Sequence, residues 1–107
     1  MLTGAILEGA ARQMLVLVDG FTVTVAAALA AAFDPGVLGY CIIGHRSAEH
    51  AHRALLEHLQ VQPLLDLGMR LGEGSGAAVA LSVVRAAAAL FTEMATFEGA
   101  GVSDKDA

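Results

Sequence analysis

The sequence predicts an α/β fold with parallel strands, and three observations carry that prediction. Two short continuous apolar runs, Met14 to Val18 and Val37 to Ile43, lack polar alternation, the pattern of strands covered on both faces. Each run is followed by a turn, Asp19-Gly20 or Gly44-His45-Arg46-Ser47, that opens into a segment with helical patterning. The resulting order α, β, α, β, α is that of a layered α/β domain. Two parallel strands make a poor sheet by themselves, so the chain reads as part of a larger one, with ligands expected beyond the carboxyl ends of the strands.

From Thr3 to Arg12, Ala5, Ile6, Gly9 and Ala10 recur at helical spacing, and the segment ends near Gln13. After the first strand, Thr22 to Phe33 is an alanine-rich helix stopped by Asp34-Pro35-Gly36. After the second, Ser47 is the expected N-cap of an amphipathic helix, with Glu49 in its first turn and Ala48, Ala51, Leu55 and Leu59 as its apolar stripe. Gln62-Pro63 ends that helix, Leu64 to Leu71 is an extended or irregular link, and Gly76 to Phe97 is the longest helical run. Residues 1–98 form the domain, and 99–107 form a polar, frayed tail. No internal repeat is visible.

A chain of 107 residues with 56% hydrophobic content suits one small domain with a core of its own. The net charge of -5 and six scattered basic residues leave no electrostatic footprint for nucleic acid. Gly20 to Gly44 is long enough to span a bilayer and carries only one charge, but Asp34-Pro35-Gly36 breaks it in the middle. Two buried elements joined by a turn fit it better than a membrane span, and no basic segment precedes the apolar runs as a signal or anchor. The single cysteine, Cys41, cannot form an internal disulfide, which suits a reduced cytoplasmic protein.

The stretch Arg70-Leu71-Gly72-Glu73-Gly74-Ser75-Gly76-Ala77 sets one carboxylate between glycines directly before a long helix. Glycines at 72, 74 and 76 open backbone angles closed to other residues and remove side chains that would keep a ligand away. Glu73 is thereby poised to touch a bound molecule. The loop lacks the Lys-Ser/Thr ending of a P-loop, which argues against nucleotide hydrolysis. His45, His50, His52 and His58 include no i, i+4 pair, and His50 to His58 spans roughly 12 Å of helical rise, so no metal site is expected. Met14, Met69 and Met94 read as core filler.

The segments LVDGFTVTVAAALAA, GHRSAEHAHRALLEHL, PLLDLGMRLGEGSGAAVAL and EMATFEGAGVS follow one another in the order and spacing of one enzyme family. The chain resembles the C-terminal part of nicotinate-nucleotide:dimethylbenzimidazole phosphoribosyltransferases of cobalamin biosynthesis. The match runs along nearly the whole sequence and covers about the last third of the family's length; the glycine-rich phosphate-binding segments of the family lie upstream of it. The implied fold is a three-layer α/β/α, Rossmann-like sheet, of which this chain carries the C-terminal strands and the C-terminal helices.

The resemblance implies transfer of phosphoribosyl from nicotinate mononucleotide to 5,6-dimethylbenzimidazole, giving α-ribazole 5′-phosphate and nicotinate, with no cofactor and no metal. It places Glu73 as the catalytic base, Asp19, Gly20 and Ser47 along the substrate site, and Arg70, Leu71, Gly72 and Gly74 around it. It also implies a homodimer, or association with the upstream segment. The alternative is a truncated, non-catalytic relative that binds benzimidazole or α-ribazole compounds, or a longer partner chain. The family's GEGTGA reads GEGSGA here, which keeps a hydroxyl at position 75, and His50-Ala51 stands where a Pro-Gly pair is common.

Overall fold

The computed structural model describes residues 1–69, 72–94, 99 and 101. Helix α1 (Leu2–Ala11) leads into strand β1 (Val16–Val18), helix α2 (Phe21–Phe33), a 3-10 helix (Pro35–Tyr40) and strand β2 (Cys41–Ile43). Helices α3 (His50–Leu59) and α4 (Ser75–Glu93) follow. The strands pair in parallel with Val16 opposite Cys41, Leu17 opposite Ile42 and Val18 opposite Ile43.

The pairing continues past the named strands. Gly44 N–H donates to the Val18 carbonyl at 2.7 Å. On the other side of β2, Leu64 and Leu65 donate to the carbonyls of Ile43 and Gly44, and His45 and Leu65 form an isolated parallel bridge. The link expected to be extended or irregular therefore serves, at Leu64 and Leu65, as a third, partial neighbour in the sheet.

The core is built from Ile6, Val18, Ala26, Ala27, Ala30, Val37, Ile43 and Leu56. Three alanines of α2 lie in it, and their small side chains let α2 pack closely on its neighbours, chiefly α1, the 3-10 helix and α3. Cys41 is half-buried, and burial pushes its thiol above the usual value. The apolar window from Gly20 to Gly44 resolves, as expected, into shorter elements joined at Asp34.

The second apolar run departs from expectation. Only Cys41–Ile43 is strand; residues 35–40 wind into a 3-10 helix. Asp34 accepts the Gly36 N–H on its side chain at 3.0 Å, and Pro35 supplies a φ suited to the first helical turn. Val37 is still buried, so the run's apolar character reports burial and not extension. Met14 and Leu15, expected in β1, precede it and are about half exposed.

Helix α3 also differs. It begins at His50 with Glu49 as N-cap, and Ser47 lies upstream of it. His52 and Leu56 are its fully buried residues, with Leu55 and Leu59 beside them half-buried, while Ala48 and Ala51 are not buried. The buried face is shifted because it takes a histidine that reads as polar in sequence. His50 occupies the first helical position, where proline is favoured in helices generally, so the departure from Pro-Gly leaves the helix start in place.

Helix α4 packs only through its first turns: Gly76 and Ala80 are its buried residues. Val79, Val83, Leu90, Phe91 and the following Met94 are exposed. By length and composition this helix could cross a membrane, with a mean hydropathy of 1.6 and 11% of the window buried. Arg85 near its middle argues against that, since a lone cation at bilayer depth is costly. Met14 and Met94 are surface residues, not core filler. Of the expected tail 99–107, all but Gly99 and Gly101 lies outside the described residues.

Candidate functional site

A cleft of about 420 Å³ opens beyond the carboxyl ends of β1 and β2. Asp19, Gly20, Ser47, Gly72, Glu73 and Gly74 all line it, joined by Phe21, His45 and Met69 among others. Six of the eight site residues expected from the sequence thus come together from three separated segments. The other two, Arg70 and Leu71, lie outside the described residues.

Glu73 is held by an unusual run of backbone. Gly72, Glu73 and Gly74 have φ of 78°, 57° and 79°, three successive residues in the left-handed region. Glycine enters that region freely, but a glutamate pays about 1–2 kcal/mol. The turn is closed by Ser75 N–H donating to the Gly72 carbonyl at 3.1 Å, and Gly74 is then the N-cap of α4. The carboxylate is exposed at the cleft, one residue before the helix cap. Gln13 and Gln60 share this φ after α1 and α3; what sets Glu73 apart is that its left-handed turn lies at the cleft between two glycines of the same kind.

Asp19 is committed in part to structure. Its Oδ1 accepts the Ala77 N–H of α4 at 2.9 Å, and His45 Nε2 stands 3.8 Å from the same oxygen. It thus faces the cleft while tying the helix that carries Glu73 at its start to the end of β1.

Gly76 has a different role from Gly72 and Gly74. It lies within α4, and a Cβ there would fall on the His45 ring. Gly44 is similarly tight: an added Cβ would meet the Gly76 carbonyl oxygen at 3.1 Å and Ala77 Cα at 3.3 Å. These glycines let α4 press its first turn against the end of β2, whereas the sequence reading assigned Gly76 to ligand approach. His45 is buried, and its Nδ1 finds no hydrogen-bond partner among the described residues; neither does the buried Ser75 Oγ.

Ser47 does not cap α3. Its N–H donates to His52 Nδ1 at 3.0 Å, and its Oγ lies 2.8 Å from the same nitrogen. The imidazole, not a helix amide, satisfies it. His45 lies in the turn expected at this edge of the sheet, whereas His52 is a polar support of the cleft that the sequence did not reveal. The available signal was the spacing of His52, Leu56 and Leu59, which forms one helical face once histidine is admitted as a buried residue. Among the described residues no three His, Cys, Asp or Glu side chains gather as a metal-binding group.

A parallel-strand fold with a glycine-flanked carboxylate at the strand ends matches a known class. The profile described as phosphoribosyltransferase matches residues 1–102. Relatives include nicotinate-nucleotide–dimethylbenzimidazole phosphoribosyltransferases from Shewanella sediminis, 54% identical over 94% of this chain and 30% of the relative, and from Methylorubrum extorquens, 53% identical over 97% and 30%. The crystal structure of the enzyme of that name from Thermus thermophilus superposes with a TM-score of 0.88 at 46% identity, covering 95% of this chain and 31% of that one. The chain belongs to the nicotinate-nucleotide–dimethylbenzimidazole phosphoribosyltransferase family. It spans about 30% of the length of the relatives it matches.

Proposed function

We propose that the complete enzyme containing these residues transfers phosphoribosyl from nicotinate mononucleotide to 5,6-dimethylbenzimidazole, giving α-ribazole 5′-phosphate and nicotinate for cobalamin assembly in the cytoplasm. One nitrogen of the azole attacks the anomeric carbon. The electrons of the breaking glycosidic bond pass to the pyridinium nitrogen of nicotinate, which leaves uncharged at that atom and needs little acid assistance. The other azole nitrogen must lose its proton as positive charge develops, and Glu73 is the base that takes it.

The observation that carries this reading is the run of three left-handed residues that presents Glu73 at the cleft beside the strand ends. Asp19, Gly20, Ser47, Gly72 and Gly74 form the wall on which the flat azole lies, with Arg70 and Leu71 preceding it in sequence. The complete fold is a three-layer α/β/α sheet in which β1, β2 and the Leu64-Leu65 segment are neighbours. The exposed face of α4 and the strand edges are covered by the rest of the family's length or by a second subunit.

The complete enzyme, incubated with nicotinate mononucleotide and dimethylbenzimidazole, should release nicotinate and α-ribazole phosphate in equal amounts. Saturable azole binding with no product would instead identify a binding-only relative.

A further inference from the structure

Gly20 and Ser47 lie after different strands and belong to different loops, yet one side chain connects to both. His52, in the first turn of α3, is completely buried. Its Nδ1 faces the Ser47 N–H at 3.0 Å, and its Nε2 lies 2.9 Å from Thr24 Oγ1. Thr24 in turn donates its hydroxyl proton to the Gly20 carbonyl at 2.7 Å.

These contacts fix the proton inventory. A backbone N–H only donates, so Nδ1 must offer its lone pair to Ser47. The Thr24 proton is used on Gly20, so the Thr24 oxygen accepts, and Nε2 must carry the hydrogen. The Nε2-protonated neutral tautomer satisfies the Ser47 amide and the Thr24 hydroxyl, and the Ser47 hydroxyl shares the Nδ1 lone pair. An imidazolium would set Nδ1–H against the Ser47 amide; the Ser47 hydroxyl, already 2.8 Å from Nδ1, would accept that proton, and the amide would lose its acceptor.

We propose that His52 is a positioning residue of the azole site: its neutral, Nε2-protonated ring sets the spacing of the Gly20 and Ser47 loops across the cleft, and protonation loosens it on the Ser47 side. The inference rests on the reading of the cleft given above. The surroundings favour the neutral ring. Burial holds the His52 pKa below the ordinary histidine value, with His45 and Arg46, past the end of β2, acting in the same direction. Glu49 at the start of α3 and Asp19 at the end of β1 oppose them. From α2 the ring also meets Phe21, with centroids 6.2 Å apart.

The test uses the complete enzyme with His52→Phe, His52→Asn and Thr24→Val. His52→Phe keeps a ring but no hydrogen bond, and Thr24→Val removes the hydroxyl that joins His52 Nε2 to the Gly20 carbonyl while leaving the Ser47 contacts in place. Both should lower kcat/KM for dimethylbenzimidazole by about ten- to a hundredfold, mainly through KM, since small displacements of positioning groups are enough for that. His52→Asn, which can still accept from Ser47, should recover part of the loss and remove the acid limb that His52 contributes to azole affinity. Long-range ¹H–¹⁵N spectra of the wild type near neutral pH should place the hydrogen on Nε2. If the wild type proves to bind without turnover, azole affinity takes the place of KM, so the two readings fail separately. A hydrogen on Nδ1, or unchanged azole affinity in folded His52→Phe, would overturn the proposal; should that variant not fold, unchanged affinity in Thr24→Val would do the same.

Discussion

Asp19 Oδ1 accepts the amide proton of Ala77 at 2.9 Å, across 58 residues of sequence. Ala77 is the third residue of α4, whose own N-cap, Gly74, has no side chain to offer. Asp19 therefore does from the end of β1 what an N-cap aspartate does locally, and it places a negative charge at the positive end of the helix. The same bond fixes the strand ends relative to the loop that carries Glu73.

Asp19→Ala should cost about 1–2 kcal/mol of stability, as loss of an N-cap does. Asp19→Asn retains an acceptor and should keep most of it. Denaturation midpoints of the two variants check this; equal midpoints for Asp19→Ala and wild type would remove the capping role.

Gly74 and Gly76 should fail in different ways. At Gly74 the φ of 79° is strained for any side chain, although a Cβ would meet open space. Gly74→Val should cost about 1–2 kcal/mol and weaken azole binding by distorting the loop. Gly76→Ala drives a methyl into the His45 ring and should cost about 1–3 kcal/mol through overpacking. Thermal midpoints together with azole affinities separate them, and unchanged affinity in Gly74→Val would mean that this glycine serves folding alone.

His52 should give the fold an acid-sensitive component. Its pKa is lowered on folding from the ordinary 6.5, so the unfolded chain takes up the proton more readily. The stabilisation is complete above that value and is lost as the pH falls below it toward the folded pKa. Melting temperatures measured at about pH 7 and about pH 5 should fall more in wild type than in His52→Asn. Parallel curves would contradict this.

The 107-residue chain alone should self-associate. Val79, Val83, Leu90, Phe91 and Met94 on and after α4, with Leu29 and Phe33 on α2, leave apolar surface uncovered. Sedimentation should show oligomers at micromolar concentration; a monodisperse monomer would mean that these faces need no cover.

The sequence made the alternation of helices and strands legible because buried strands and alanine-rich helices differ in length and in valine content. Asp19 and Ser47 were legible as cleft residues because turns after parallel strands point to one edge, and Glu73 because glycines flank it directly before a helix. The 3-10 segment 35–40 was not, since Val37 is buried in either conformation and apolar character does not encode φ. Nor was the role of His52: its polarity suggests solvent, and only tertiary partners 28 and 5 residues away satisfy it in the core. Gly76 read as a ligand-facing glycine because close packing against His45 is a tertiary fact.

The most direct measurement is the single-turnover rate of Glu73→Gln in the complete enzyme, taken beside its affinity for dimethylbenzimidazole. The substitution preserves size and backbone demand while removing proton acceptance. The rate should fall by roughly two to four orders of magnitude, with affinity largely retained. A near-normal rate at neutral pH would assign the base elsewhere and contradict the account of this loop.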